Sequence, residues 1–198
     1  MQKSWNWKRM AQWLFGGAVL PIYGVYRLLA WLGKPDETFW SFSQALSMVP
    51  GKTGSFLRNA FYRRAMTACH PDVTIQFGTL FSQRDTEIGP SVYIGPQCNI
   101  GRCRMEAHCT LGSGVHIMSG KRQHFFGDPQ IPIKDQGGVF EKVVIGEDTW
   151  IGNGALVMAN IGKKCVIGAG AVVAVPVPDY AVMAGNPAKQ ISQRKSDI

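Results

Sequence analysis

An aliphatic residue followed by glycine recurs at steps of six through much of this chain. Between Lys142 and Val173, Ile145, Ile151 and Val157 step by six, and so do Ile161, Ile167 and Val173. A helix repeats its apolar face at steps of three and four and a strand at steps of two, so neither produces this period. A fixed short period marks a repeat architecture, whose units bury an apolar face only by stacking on one another. The template is aliphatic, Gly, any, any, small, any. It is met from Ile88, Leu111, Ile145, Ile151 and Ile167, and from Ile94 and Ile161 when Cys counts as small. Each hexad is one short strand plus a turn, and three make a triangular coil of about eighteen residues. Glycine after the aliphatic residue suits a tight corner, because it tolerates backbone angles that other residues avoid. The five-residue unit from Ile100 to Met105, and the unit from Val157 to Ile161, read as corner deletions absorbed by the stack.

The hexads stop at Ile117 and resume near Val144, which leaves a polar loop over 118–143 containing Gly and Pro. Loops of that length in compact domains usually carry function. His124 is the one histidine in it, between Lys121-Arg122 and Phe125-Phe126. Of the other three, His70 precedes Pro71 where the repeats begin, and His108 and His116 take outward places in their hexads.

The 198 residues allow one domain with a small appendage. A net charge of +8 suggests anionic partners. No nucleic-acid motif accompanies it, and basic and aromatic residues never interleave on one expected face, so no nucleic-acid partner is expected. Five cysteines without CxxC spacing indicate neither a zinc site nor a disulfide framework. Cys98, Cys109 and Cys165 take the small place of their hexads and read as buried thiols of a reducing compartment.

Over residues 72–190 the hexads, together with the ending "VPDYAVMAGNPAKQI", resemble the hexapeptide-repeat acyltransferases, in particular those O-acetylating sugars and polysaccharides. The resemblance implies an all-β domain, a left-handed parallel β-helix, where general crossover rules would favour the right hand. It implies acetyl-CoA or another acyl-CoA as donor, no metal, and a homotrimer with sites at subunit boundaries. In the family this loop carries a catalytic histidine, which matches His124, slightly further along than in many relatives; His116 is the other candidate. A hydroxyl is too weakly acidic to attack a thioester at neutral pH, and a neutral imidazole can take its proton as the bond forms. Asp128 and Glu141 are candidates to orient the imidazole. A backbone N–H near Gly152 or Gly154 is expected to face the developing oxyanion. The positions matching the coenzyme site are Trp150, Asn153, Gly154, Ala169 and Lys189, with Arg194 or Lys195 helping Lys189 at the coenzyme phosphate. Ala174-Val175-Pro176 stands where many relatives carry a basic Thr-Lys pair.

The N-terminal stretch differs. Residues 10–26 are uncharged, flanked by Lys3, Lys8 and Arg9 before and Arg27 after, and broken by Gly16-Gly17 and Pro21. Seventeen residues is at the lower limit for spanning a bilayer, and no small-residue cleavage site follows, so neither a span nor a signal peptide is expected. Trp5, Trp7, Trp13 and Trp31 bracket the segment as rings do at a membrane interface. A second helix is expected from a Ser55 cap, with Phe56, Leu57, Ala60 and Phe61 on one side and Arg58, Arg63 and Arg64 toward the other. The expected division is a helical membrane-seeking region 1–70, a β-helix 71–190 and a basic tail 191–198. Attachment to an anionic membrane surface is favoured over packing of these helices on the β-helix.

The combined expectation is an acyl-CoA-dependent O-acyltransferase acting on a sugar, a polysaccharide precursor or a lipid-linked sugar. It would sit peripherally on the cytoplasmic face of the inner membrane. The alternatives are N-acylation of an amino sugar, a carbonic-anhydrase-like zinc site built from His108, His116 and His124, and a scaffold without catalysis.

Overall fold

A computed structural model describes residues 3–194; Lys195 and the end of the expected tail, and the side chains of Lys3 and Trp5, lie outside what it describes. Short strands stack into a parallel β-solenoid of about six coils with three faces. On the first face Cys69, Ile88, Met105 and Ile145 align, continued by single bridges to Ile161 and Val177. The second face aligns Ile75, Ile94, Leu111, Ile151, Ile167 and Met183. The third aligns Phe81, Ile100, Ile117, Val157 and Val173. All of these but Cys69 are buried, so the hexad's aliphatic place is the core.

The steps from first to second face and from second to third are six residues in every coil. From third to first they vary: seven from Phe81 to Ile88, five from Ile100 to Met105, four from Val157 to Ile161 and from Val173 to Val177. The short units and the long loop therefore share one edge of the prism. The two constant corners are locked by backbone geometry. Their fourth place is left-handed, at Ser91, His108, Asp148 and Lys164 on one corner and at Gly114, Gly154 and Gly170 on the other. The glycine in second place has a different reason from the one its sequence suggested. A Cβ on Gly146 would stand 2.4 Å from the Lys163 nitrogen, and one on Gly152 would stand 2.6 Å from that of Ala169. It is the closeness of the next coil, and not an unusual backbone angle, that demands glycine there.

Cys98, Cys109 and Cys165 are buried as expected, and burial pushes the Cys109 thiol up to about 11. The small place also holds Thr79 and Thr149. Their buried hydroxyls donate to the carbonyls of Gly95 and Gly162 and accept the N–H groups of Cys98 and Cys165.

Four helices precede the coils: α1 (Lys3–Ala18), α2 (Leu20–Leu32), α3 (Pro35–Ser47) and α4 (Gly51–Ala65). Pro35 opens α3 with Asp36 and Glu37 in its first turn, a favourable start for a helix. α4 begins at Gly51 after Pro50, so Ser55 lies inside the helix and is not its cap. Phe39, Phe61, Tyr62 and Phe81 pack α3 and α4 onto the first coil. Ser43 links them, its hydroxyl 2.8 Å from the Tyr62 hydroxyl and accepting the Phe81 N–H at 2.8 Å. Arg58, expected on the polar side of its helix, is instead fully buried. α4 thus closes one end of the apolar stack.

α1 and α2 meet at a 45° bend near Pro21, and no single described helix is long and apolar enough to cross a membrane. Together they expose Met10, Trp13, Leu14, Leu20, Leu28 and Trp31, with Trp13 83% and Trp31 80% exposed. At the opposite end of the chain, Lys189–Gln193 runs antiparallel to Ala181–Ala184 and extends the second face. The tail expected from residue 191 therefore starts inside a strand.

Candidate active site

The loop leaves the third face after Ile117 and returns to the first at Val143. Its two arms run against each other. The Glu141 N–H donates to the Ser119 carbonyl at 2.9 Å, Val139 to Arg122 at 2.7 Å, and Phe125 to Gly137 at 2.9 Å. Gly138 makes this possible, because a Cβ there would stand 1.9 Å from the Gln123 carbonyl and 3.0 Å from the His124 nitrogen.

The stem is held by charge. Lys142 bonds Asp85 and also reaches Glu87 at 2.7 Å, while Arg102 Nε donates to Asp85 at 2.8 Å and its Nη1 to the Phe140 carbonyl at 2.9 Å. The Lys142 ammonium, with Arg102 beside it, holds the Asp85 carboxyl down at about 2.

His124 sits on this hairpin, exposed, and no hydrogen bond among the described residues engages its imidazole. The two carboxylates expected to orient it are committed elsewhere. Glu141 pairs with Arg122 at 2.8 Å, and Asp128 Oδ1 accepts the Gln130 N–H at 2.9 Å in the loop tip. His116 projects from the third face into a groove of about 340 Å³ at the loop's base, with Asn99, Gln123 and Trp40 around it. His108 lies on a corner between the first and second faces. The three histidines of the zinc reading thus occupy a corner, a face and a loop, and no group of three or more metal-ligating side chains converges among the described residues.

The positions expected to hold the coenzyme gather elsewhere on the prism. Asn153, Gly154 and Ala169 stack along the corner between second and third faces, and Trp150 stands beside them on the second face, 54% exposed. Lys189 is exposed on the closing strand. Arg194, expected to help it, is engaged with Asp148 at 3.1 Å. Near the expected oxyanion position, the Gly152 amide donates to Ile167 at 2.7 Å and the Gly154 amide to Ser113 at 2.9 Å. At the same corner the Asn153 and Ala169 amides make no hydrogen bond among the described residues. The Asn153 side chain fixes the corner by accepting the Ser113 N–H at 3.0 Å. This row of unspent amides, backed by glycines and walled by an exposed indole, fits the amide-bearing pantetheine arm of coenzyme A. His124 and this corner belong to different edges of one chain.

Sequence reasoning missed Gln123, Asn99 and Trp40 at the groove, and the Asp85–Arg102–Lys142 stem. Asn99 was findable, because it stands one coil before His116 in outward phase. Trp40 and Asp85 carried no signal, since only the fold brings them near.

No family model matches the chain. A probable acetyltransferase of Mycobacterium tuberculosis is 37% identical over 113 residues, covering 56% of this chain and 31% of that protein. A chloramphenicol acetyltransferase of Agrobacterium fabrum is 35% identical over 121 residues, covering 53% of this chain and 58% of its own length. The chain spans about half the length of the curated relatives it matches. Among solved structures, a maltose O-acetyltransferase from Clostridium difficile superimposes with a TM-score of 0.67 at 18% identity, over 83% of this chain and 90% of that one. A hexapeptide-repeat acetyltransferase from Vibrio cholerae, complexed with acetyl coenzyme A, gives 0.60 at 16% identity over 81% and 89%. The structural likenesses establish the shared coil, and the sequence relatives are acetyltransferases in their own names. With its hexads and their stacking, the chain is similar to the hexapeptide-repeat acetyltransferases and shares their coil.

Proposed function

We propose that this protein is an acyl-CoA-dependent acyltransferase, with acetyl-CoA as donor, that O-acylates a sugar, a polysaccharide precursor or a lipid-linked sugar. The observation that carries the reading is the single long excursion from an otherwise regular stack, pinned at its stem and carrying an exposed, unengaged histidine. A scaffold has no use for such a loop.

The donor's thioester supplies an electrophilic carbonyl. His124 acts as general base, taking the acceptor hydroxyl's proton as its oxygen attacks and returning it to the departing sulfur. The amides of Asn153 or Ala169 donate to the oxyanion, a role supported by their having no hydrogen bond among the described residues. Transfer is direct, without an acyl-enzyme. Because the histidine edge and the coenzyme corner are apart on one chain, the site is completed by a neighbouring copy in a homotrimer, one chain's loop meeting the next chain's corner. The left-handed sense of the coil is taken from the resemblance to the hexapeptide-repeat acyltransferases.

The helical segment attaches the enzyme peripherally to an anionic membrane surface. This is supported by the exposed apolar face of α1 and α2 and by flanking cations. Coenzyme use and unpaired thiols are the support for a catalytic domain on the cytoplasmic side of the inner membrane.

Thiol release from acetyl-CoA across a panel of glycans, amino sugars and lipid-linked sugars tests the activity and separates O- from N-acylation. His124→Ala should cut turnover by about 10²–10⁴ while leaving the melting curve unchanged. Retained activity in that variant, with His116→Ala inactive, would move the base to His116.

A further inference from the structure

The positive charge of this chain is concentrated at one end. Residues 1–66 hold nine of the 21 Lys and Arg but two of the 13 Asp and Glu, so this third of the chain carries +7 of the net +8. Part of that charge converges. Arg9, Arg63 and Arg64 line a groove of about 530 Å³ between α1 and α4, and no Asp or Glu is among its lining residues. Arg64 is fixed there, donating from Nη1 to the Ala60 carbonyl at 2.9 Å and from Nη2 to the Gly16 carbonyl at 3.0 Å. A guanidinium has five donors, so Arg64 keeps others for a ligand. Arg63 is exposed. Gly16 and Gly17 leave the α1 wall low.

Trp13 and Leu20 line the same groove and belong to the exposed apolar face of α1 and α2. The anion site and the apolar face therefore share a rim, an arrangement that suits a ligand with a phosphate at one end and hydrocarbon at the other. Arginine matches phosphate by forked, charge-assisted hydrogen bonds.

We infer that this groove binds the phosphate of an anionic phospholipid headgroup while Trp13 and Leu20 enter the surrounding leaflet. The inference rests on the peripheral attachment proposed above and gives it a defined headgroup site in place of diffuse attraction.

The test is co-sedimentation of the full chain with phosphatidylcholine vesicles, with and without phosphatidylglycerol. Arg9→Gln/Arg63→Gln is compared with Arg27→Gln/Lys34→Gln, which removes equal charge from the same segment outside the groove. Binding to the anionic vesicles should fall about tenfold or more further in the first pair than in the second, whose loss is that of two surface charges alone. Arg63→Gln alone, at an exposed position, should show part of the loss, which guards against misfolding of the double variant. Inorganic phosphate should weaken wild-type binding more than chloride at equal ionic strength. Equal losses in the two pairs, or no phosphate effect beyond chloride, would overturn the groove and leave peripheral attachment standing. Wild-type protein that fails to sediment with any vesicle would remove both, and the transferase assay is unaffected by either result.

Discussion

The Arg58 guanidinium lies out of water and spends its donors on main-chain carbonyls: Ile75 at 3.2 and 3.1 Å, Leu46 at 3.0 Å and Val49 at 2.8 Å. One side chain therefore ties the end of α3 and the turn after it to the first coil. Burial lowers its pKa, yet the hydrogen bonds serve the charged form. Truncation would strip the partner from several buried carbonyls at about 1–3 kcal/mol each. Arg58→Ala should accordingly destabilise the protein by about 3 kcal/mol or more in denaturant titration, and Arg58→Lys should recover little, lacking the fork. An effect below about 1 kcal/mol would show that the capping helix does not depend on this residue. Helical spacing grouped Arg58 with Arg63 and Arg64 on a polar side, whereas Arg63 is exposed and Arg58 is fully buried. What spacing cannot show is that Arg58 faces main-chain carbonyls and not water. The hexad glycines teach the same point: their place was legible, but the next coil's backbone, which explains them, is 17 residues away for Gly146 and Gly152 and 41 for Gly112.

At the scale of elements, the loop was visible as an interruption of the period, and its histidine as the one candidate within it. Its stem was not, because Lys142 meets Asp85 across 57 residues of chain. Asp85 also sets a pH dependence. Its ordinary pKa of 3.8 is lowered to about 2 in the folded chain. Ionised Asp85 thus favours the closed stem above about pH 4, and that contribution is lost as pH falls from 4 toward 2. Hydrogen exchange at the amides of Val139 and Glu141 should accelerate over this window, after correction for intrinsic rates, while amides in the coils stay protected. Asp85→Asn should bring the same loosening at neutral pH, with reduced turnover and a nearly unchanged melting temperature. Exchange that is indifferent to both changes would mean that the arms' own hydrogen bonds suffice. The two constant corners explain why the insertion sits where it does. An excursion at either would break a left-handed turn and its close contact with the next coil, whereas the third-to-first edge already varies in length.

Across the whole molecule, the division of labour between edges makes a prediction that does not depend on knowing the acceptor. If each site takes its histidine from one copy and its coenzyme corner from the next, two differently disabled chains should repair each other. Ala169 is exposed at the corner, so Ala169→Trp should block the coenzyme arm without disturbing the core. His124→Ala removes the proposed base. Each variant alone should be inactive in trimers. When the two are unfolded together and refolded as an equal mixture, a site works only if its loop comes from the Ala169→Trp chain and its corner from the His124→Ala chain. Random assembly gives that combination in about a quarter of the sites, so about a quarter of wild-type activity should return. Mixing the folded trimers without exchange should restore none, which separates subunit sharing from trace wild-type contamination. Light scattering on the detergent-solubilised protein, corrected for bound detergent, should report three chains. A fully active monomer, or a refolded mixture as inactive as its parents, would place histidine and coenzyme on one chain and require the loop to fold back across the third face to reach its own corner.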